Sequence, residues 1–312
     1  MRTARRISTV ATAATITAVL VLTGCGANNE SGQQPTAGVV GVKKAGGVDE
    51  SAPQYSKLPK KFQENGKIVS AYNGQYPPYV MFKADNETLE GASEDLRVGL
   101  ERQLGVPIET SLVNSLPTLL TGMQSGRYEL SVGPTGDTPD KRGKVDFVDY
   151  VDSRGAFVTP KGNPLKFASL NDICGYRVAA VTGGSAERIM QDFAAKCPKQ
   201  GKPEAKLLSF QDQNTMVLSV QSGQADAAYS GLAVLSYFQQ QSGGKLELVP
   251  EPKDIGLGVV PQGVIVPKDS ALAPVVLEAM QALFDDGTYA KIMEKWHLTD
   301  LMIDKPEINL AK

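Results

Sequence analysis

Three short stretches of this chain carry side chains and backbone groups suited to gripping a small molecule. The first is Asn73-Gly74-Gln75-Tyr76-Pro77-Pro78-Tyr79. Two prolines stiffen it directly after an apolar run, so the Tyr76 ring can stand as a fixed wall with Asn73 beside it. The second runs from Gly133 to Arg142. It offers the Thr135 and Thr138 hydroxyls, backbone N–H groups at Gly133 and Gly136, and the adjacent cations Lys141 and Arg142. That set suits an anionic group. The third is Thr182-Gly183-Gly184-Ser185. It joins a strand to a helix, so N–H groups at the helix start face outward with the helix dipole behind them. Each stretch also fits a plainer role: a surface turn, a helix start capped by Thr138, or a tight connection.

Catalytic constellations are scarce. His297 is the single histidine and sits beside Trp296 at a helix end, where a packing role is expected. No H-E-x-x-H, G-x-S-x-G or phosphate-binding loop occurs. The expectation is therefore no enzyme activity, no metal and no cofactor. The chain carries a net charge of −2, and loss of Arg2, Arg5 and Arg6 with an N-terminal leader takes it to −5. Nucleic acid, which needs a basic face to release counterions, is excluded as a partner.

The elements that must position these stretches read as strands alternating with helices. Strands are expected at 67–71, 128–132, 177–181, 206–210, 225–229, 245–249 and 263–266. Helices are expected at 94–104 and 185–195, each from an apolar stripe at helical spacing, and at 215–221 and 232–240 between the later strands. Leu272, Val275, Val276, Ala279, Met280, Leu283 and Phe284 mark a longer helix, started by Asp269 or Ser270 and ended by Gly287. A last helix buries Tyr289, Ile292, Met293 and Trp296. Such alternation implies an α/β architecture with mostly parallel sheet, whose ligands sit at the carboxyl ends of strands.

The N-terminus addresses the chain to export. Arg2, Arg5 and Arg6 precede the uncharged stretch Ile7 to Leu22, too short and polar for a membrane span. Leu22-Thr23-Gly24-Cys25 resembles a lipobox, which implies a signal peptide at 1–24 and a lipid on Cys25 at the outer face of the cytoplasmic membrane. Residues 25–60, rich in Gly, Ser, Asn, Gln and Pro, read as a flexible linker. Cys174 and Cys197 then remain as an even pair in an oxidising compartment, where a disulfide is expected and two buried thiols are the alternative.

Taken in order, further motifs resemble the extracytoplasmic solute-binding proteins of the polar amino-acid ABC uptake family, family 3. They are Tyr76-Pro77-Pro78-Tyr79, Leu89-Glu90-Gly91 leading to Asp95-Leu96, Gln124 to Leu130, Thr138-Pro139-Asp140-Lys141 leading to Val145-Asp146-Phe147, Ser222 to Ala227, and Asp286 to Ile292 with Lys295-Trp296. The likeness covers about 66–298. It implies the type 2 periplasmic-binding-protein-like fold: two α/β lobes, two hinge crossovers, and a ligand cleft between the lobes. The lobes should be 61–157 with 262–300, and 158–261, leaving 301–312 as a tail. The chain should leave the first lobe near Val158 and return near Val260.

The resemblance also implies roles. Tyr76 packs on the solute, and Gly183, Gly184 and Ser185 donate to it. Some members carry a disulfide like Cys174–Cys197. The family's carboxylate-gripping arginine falls here on Lys141, with Arg142 one residue late. Its ammonium-gripping aspartate falls on Gly231, leaving Ser230 and nearby carbonyls as acceptors, with Asp137 and Asp140 as possible replacements. The frame stays while the zwitterion clamp changes, so an ordinary α-amino acid is not the expected solute. The implied protein is a monomeric, lipid-anchored capture subunit working with a permease and an ATPase. Two other occupations of the scaffold are a cyclohexadienyl-dehydratase-like enzyme, which needs a proton donor in the cleft, and a ligand sensor for a membrane kinase.

Overall fold

The computed structural model describes residues 47–252 and 259–311. Cys25 and the leader at 1–24 lie outside the described residues. Helix α1 (Lys60–Asn65) leads into β1 (Ile68–Asn73), the short pair β2 (Met81–Phe82) and β3 (Leu89–Glu90), α2 (Ala92–Leu104), β4 (Ile108–Val113), α3 (Leu116–Gln124), β5 (Ser131–Gly136), α4 (Pro139–Arg142) and β6 (Val145–Ser153). The second group is β7 (Gly155–Pro160), β8 (Arg177–Val181), α5 (Ser185–Ala194), β9 (Lys206–Phe210), α6 (Gln213–Gln221), β10 (Ala227–Gly231), α7 (Leu232–Gln241) and β11 (Leu246–Pro250). The chain then returns through β12 (Val260–Pro267), α8 (Leu272–Asp285), α9 (Thr288–Lys295) and β13 (Met302–Ile308).

Each lobe has one main sheet, and β2 and β3 form a separate short pair. One main sheet has the order β13-β6-β12-β5, and the parallel pair β1-β4 joins it through a bridge between Ser70 and Leu130. The other has the order β11-β7-β10-β8-β9. Each sheet has its own apolar core. Leu96, Leu100, Val264, Val276 and Met280 belong to the first, and Val158, Ala179, Val217 and Leu235 to the second. Both crossovers expected from the sequence are present: β6 to β7, and β11 to β12.

The crossing points are set by strand pairing. Ser153 still pairs with Val260 in the first sheet and Gly155 already pairs with Gly231 in the second, so Arg154 alone spans the gap. Val158, expected at the exit, instead sits inside β7 opposite Ala228. The segment read as a tail is also corrected. Met302–Ile308 adds an edge strand to β6, because the ladder of β6 has a free side there. The end of the presumed linker docks as well. Asp49 N–H donates to Gly105 O at 2.8 Å and Leu58 is buried in the first core. Ala52 is buried too, Tyr55 packs on the same core, and Gln54 N–H donates to Gln103 O at 2.9 Å, so the segment is held at several points.

Local starts and stops follow ordinary capping chemistry. Gly91 stands before α2 at φ +132°, and a Cβ there would lie 2.1 Å from Tyr79 O, so only glycine fits. Ser270 Oγ accepts from Leu272 N–H at 3.2 Å at the start of α8, and Gly287 at φ +75° follows its end. Cys174 and Cys197 form the disulfide, with Cα atoms 5.5 Å apart. Among the described residues no helix is long and apolar enough to cross a membrane.

Candidate functional site

A cavity of about 130 Å³ opens where the carboxyl ends of strands from both sheets meet. Its first-lobe wall comes from the end of β1 and the loop after it, with Asn73 and Tyr76, and from β5 and α4, with Gly133, Thr135 and Lys141. Its second-lobe wall comes from the start of α5, with Gly184 and Ser185, and from the end of β10, with Ser230 and Gly231. Gly133 and Thr135 were expected in a loop. They are strand residues, since β5 runs on to Gly136 and pairs with β12 at Gly263 and Gln262.

Lys141 is the cation of this wall. It is 3% exposed, and its Nζ donates to Thr138 Oγ1 at 2.8 Å and to Ser185 Oγ, from the other lobe, at 3.2 Å. Among the described residues it has no carboxylate in ion-pair contact. Burial is the main influence and lowers its pKa to about 8, against the smaller opposing pull of Asp140. Thr138 stands at the start of α4 but makes no side-chain cap there, because its hydroxyl is engaged by Lys141. A Cβ on Gly136 would lie 2.2 Å from Ser185 Oγ, so a glycine there lets the two lobes meet around this lysine. Asp140 and Arg188 add an exposed ion pair across the same seam, at 2.6 Å.

Four of the residues expected to hold a ligand do not line the cavity: Thr138, Arg142, Thr182 and Gly183. Thr138 supports Lys141 from behind. Arg142 faces away and forks onto the buried carboxylate of Asp137, at 2.6 Å and 2.7 Å. Its Nη2 also donates to the backbone carbonyls of Asn309 and Ala311. A buried acid, Asp137, outcompetes the cleft for this guanidinium, because a desolvated carboxylate without a partner is costly. Asp149 lies against the same acid. Its Oδ2 accepts from Leu310 N–H at 2.9 Å, and burial raises its pKa to about 7. Thr182 N–H is spent on Phe210 O at 2.8 Å, and Gly183 N–H on Glu187 Oε2 at 2.7 Å. An acid in the first turn of α5 thus takes the donor that was assigned to a ligand.

Asp137 and Asp140 are both occupied by arginines, so neither replaces the acid absent at Gly231. The reason that position lacks a side chain is visible in the packing. A Cβ on Gly231 would lie 3.0 Å from the Tyr76 hydroxyl and 3.1 Å from Ser153 Oγ. Tyr76 therefore fills the space, with Gln262 and Ser230 acting on its hydroxyl while burial raises its pKa. Its ring also stacks on Tyr79, with centroids 5.8 Å apart.

Sequence reasoning missed Gln211, Asp212 and Gln213, which line the cavity between β9 and α6. The signal was available, since they follow a strand and open a helix, as Thr182 to Ser185 do. It missed Arg154 because a crossover residue has no sequence signature. Tyr229 was read only as part of a strand. It lines the cavity and donates to Glu251 Oε2 at 2.5 Å.

The sequence pattern of the bacterial extracellular solute-binding proteins, family 3, matches residues 68–299, which spans both lobes and both crossovers. The chain belongs to this family. Among its relatives, the arginine-binding protein ArgT of Corynebacterium glutamicum is 24% identical over 84% of this chain and 84% of its own length. The L-cystine-binding protein TcyA of Bacillus subtilis is 24% identical over 92% of this chain and 96% of its own. Among solved structures, an ancestral arginine-binding protein bound to arginine superimposes with a TM-score of 0.65 at 26% identity, covering 74% of this chain and 98% of that one. A substrate-binding protein of an amino acid ABC transporter from Streptococcus pneumoniae, at 21% identity and a TM-score of 0.68, shares the fold. The two-lobe fold of family 3 is thus established for this chain.

Proposed function

We propose that this family 3 protein captures a small polar solute bearing an anionic group, an amino acid or amino-acid derivative among the candidates, and delivers it to an ABC permease and its ATPase. The observation that carries this reading is Lys141: a buried ammonium on the cavity wall, with Thr138 and Ser185 as its bonding partners and, among the described residues, no carboxylate in ion-pair contact. An anion brought into the cavity supplies the missing counter-charge and draws the two lobes together through Ser185. Asn73, Tyr76, Gly133, Thr135, Gly184, Ser185 and Ser230 line the same cavity and complete this grip, with Tyr76 offering a ring face. The lipid on Cys25 keeps the monomer at the outer face of the cytoplasmic membrane, and 61–153 with 260–308 closes against 155–250. The names of the arginine-, cystine- and glutamine-binding relatives support an amino-acid-like solute.

The test is a thermal-shift screen of the mature protein over amino acids, their acylated forms and small organic anions. A solute that binds only the native state raises the melting point in proportion to its occupancy. At least one anionic member should do so, and calorimetry then gives its affinity. A panel in which no anionic solute shifts the transition overturns the proposal.

A further inference from the structure

Gln213 opens α6 on the second-lobe wall. It is 6% exposed, it lines the cavity, and its Oε1 is buried without a hydrogen-bond donor among the described residues. Buried amide oxygens are ordinarily paired, so one left unpaired on a residue of the cavity wall marks a place where a donor arrives with the ligand. The loop itself does not supply that donor. Asp212 caps the helix instead, with Oδ1 accepting from Thr215 N–H at 2.9 Å and Oδ2 from Thr215 Oγ1 at 3.0 Å. Asp212 also lines the cavity. The other acids raised by the sequence, Asp137 and Asp140, are bound to Arg142 and Arg188. The second-lobe wall at this loop therefore gathers acceptors, while Lys141 gathers positive charge on the first-lobe wall.

We infer that Gln213 is a specificity-determining ligand contact whose carboxamide oxygen accepts from an N–H-bearing group of the solute, with the Asp212 carboxylate beside it favouring a cationic one. This rests on the anion-capture reading above and adds the solute's second pole. The N–H group is either an α-ammonium or a side-chain group such as a guanidinium. Both have the same chemistry at an acceptor, and the probes below separate them.

Calorimetry would use wild type, Gln213→Leu and Gln213→Glu with three probes. L-arginine carries N–H groups at both ends, 5-guanidinopentanoate lacks the α-ammonium, and L-norleucine lacks the guanidinium. Loss of one hydrogen bond to a charged donor is expected to weaken binding by about tenfold or more in Gln213→Leu. A loss seen with arginine and 5-guanidinopentanoate but not norleucine places Gln213 at the guanidinium. A loss seen with arginine and norleucine alone places it at the α-ammonium. Gln213→Glu should bind the affected probes at least as tightly as wild type. The ligand-free melting temperature of Gln213→Leu should match wild type, since Oε1 makes no hydrogen bond within the described residues for the variant to lose, and a fall would assign it a structural role and overturn the inference. Equal affinities for wild type and Gln213→Leu, or an equal loss for all three probes, also overturn it while leaving solute capture standing. Wild type that binds none of the three probes but does bind an anionic solute lacking N–H groups refutes the inference alone. Wild type that binds no anionic solute refutes both.

Discussion

Replacing Lys141 by methionine tests the central assignment. Methionine keeps the unbranched stem and removes the charge, so the surrounding packing is retained. The bound anion would then lie in a cavity whose wall keeps the neutral Ser185 hydroxyl and no longer carries the ammonium. Truncating one partner of a buried, hydrogen-bonded charge pair costs about 2–5 kcal/mol, which is roughly 30- to 5000-fold in Kd. The wild-type protein should also show a distinctive pH dependence. In the ligand-free protein burial holds the Lys141 pKa down at about 8. An anion alongside favours the charged form and raises that pKa in the complex. The complex therefore binds more protons than the free protein above pH ~8, and affinity falls about tenfold per pH unit there. Below that pH both states are protonated at Lys141 and affinity is flat. Calorimetry of wild type and Lys141→Met from about pH 6.5 to 9.5 measures both effects. Affinity in the variant within about threefold of wild type, or wild-type affinity that stays level across that range, refutes Lys141 as the anion anchor.

Asp149→Asn is expected to stabilise the protein at pH 8 and to lose that advantage near pH 4. The folded carboxyl keeps its proton up to about 7 while the unfolded one releases it near 4, so the folded state binds more protons in between and stability falls as pH rises through that window. A melting-temperature difference between variant and wild type that does not grow with pH would contradict this. Reduction of the Cys174–Cys197 bridge, with a sequence separation of 23, should lower stability by roughly 3 kcal/mol in the chain-entropy view, read as a shift in urea midpoint. Unreduced protein that labels at two cysteines when unfolded would refute the bridge itself. Cys25→Ser should move the protein from the membrane fraction to the soluble one, and a native N-terminus that begins elsewhere without lipid would argue against the anchor.

Much of the architecture was legible in the residues because local periodicity and caps are local properties. The α8 stripe from Leu272 to Phe284, the stop at Gly287 and the strand 177–181 all appear where their spacing places them. The alternation of strands and helices announced α/β lobes, and the ordered motifs from Tyr76 to Trp296 announced the family. Strands β6 and β7 were not read as elements, nor was the crossover at Arg154. A largely buried antiparallel strand such as Val145–Ser153 has acids at Asp146, Asp149 and Asp152 that break its apolar pattern. Asp146 and Asp149 are tolerated because partners distant in sequence meet them. Lys268 and Asn309 reach Asp146, and Leu310 reaches Asp149.

The site divides along the same line. The types of group in the first two loops, the helix-start position of Ser185 and the absence of an acid at Gly231 were all set by the sequence. Which cation faces the cleft was decided by tertiary structure. Lys141 and Arg142 are chain neighbours with equal charge. The buried Asp137 and the C-terminal carbonyls of Asn309 and Ala311 bind the guanidinium and leave the ammonium to the cavity. Gly183 lost its expected role to Glu187, four residues on in α5. Gln213 gained one because the second lobe carries its loop opposite Lys141's wall. Competition among buried polar groups for a few partners is a property of the folded whole, and a linear reading lists the competitors without showing who meets whom.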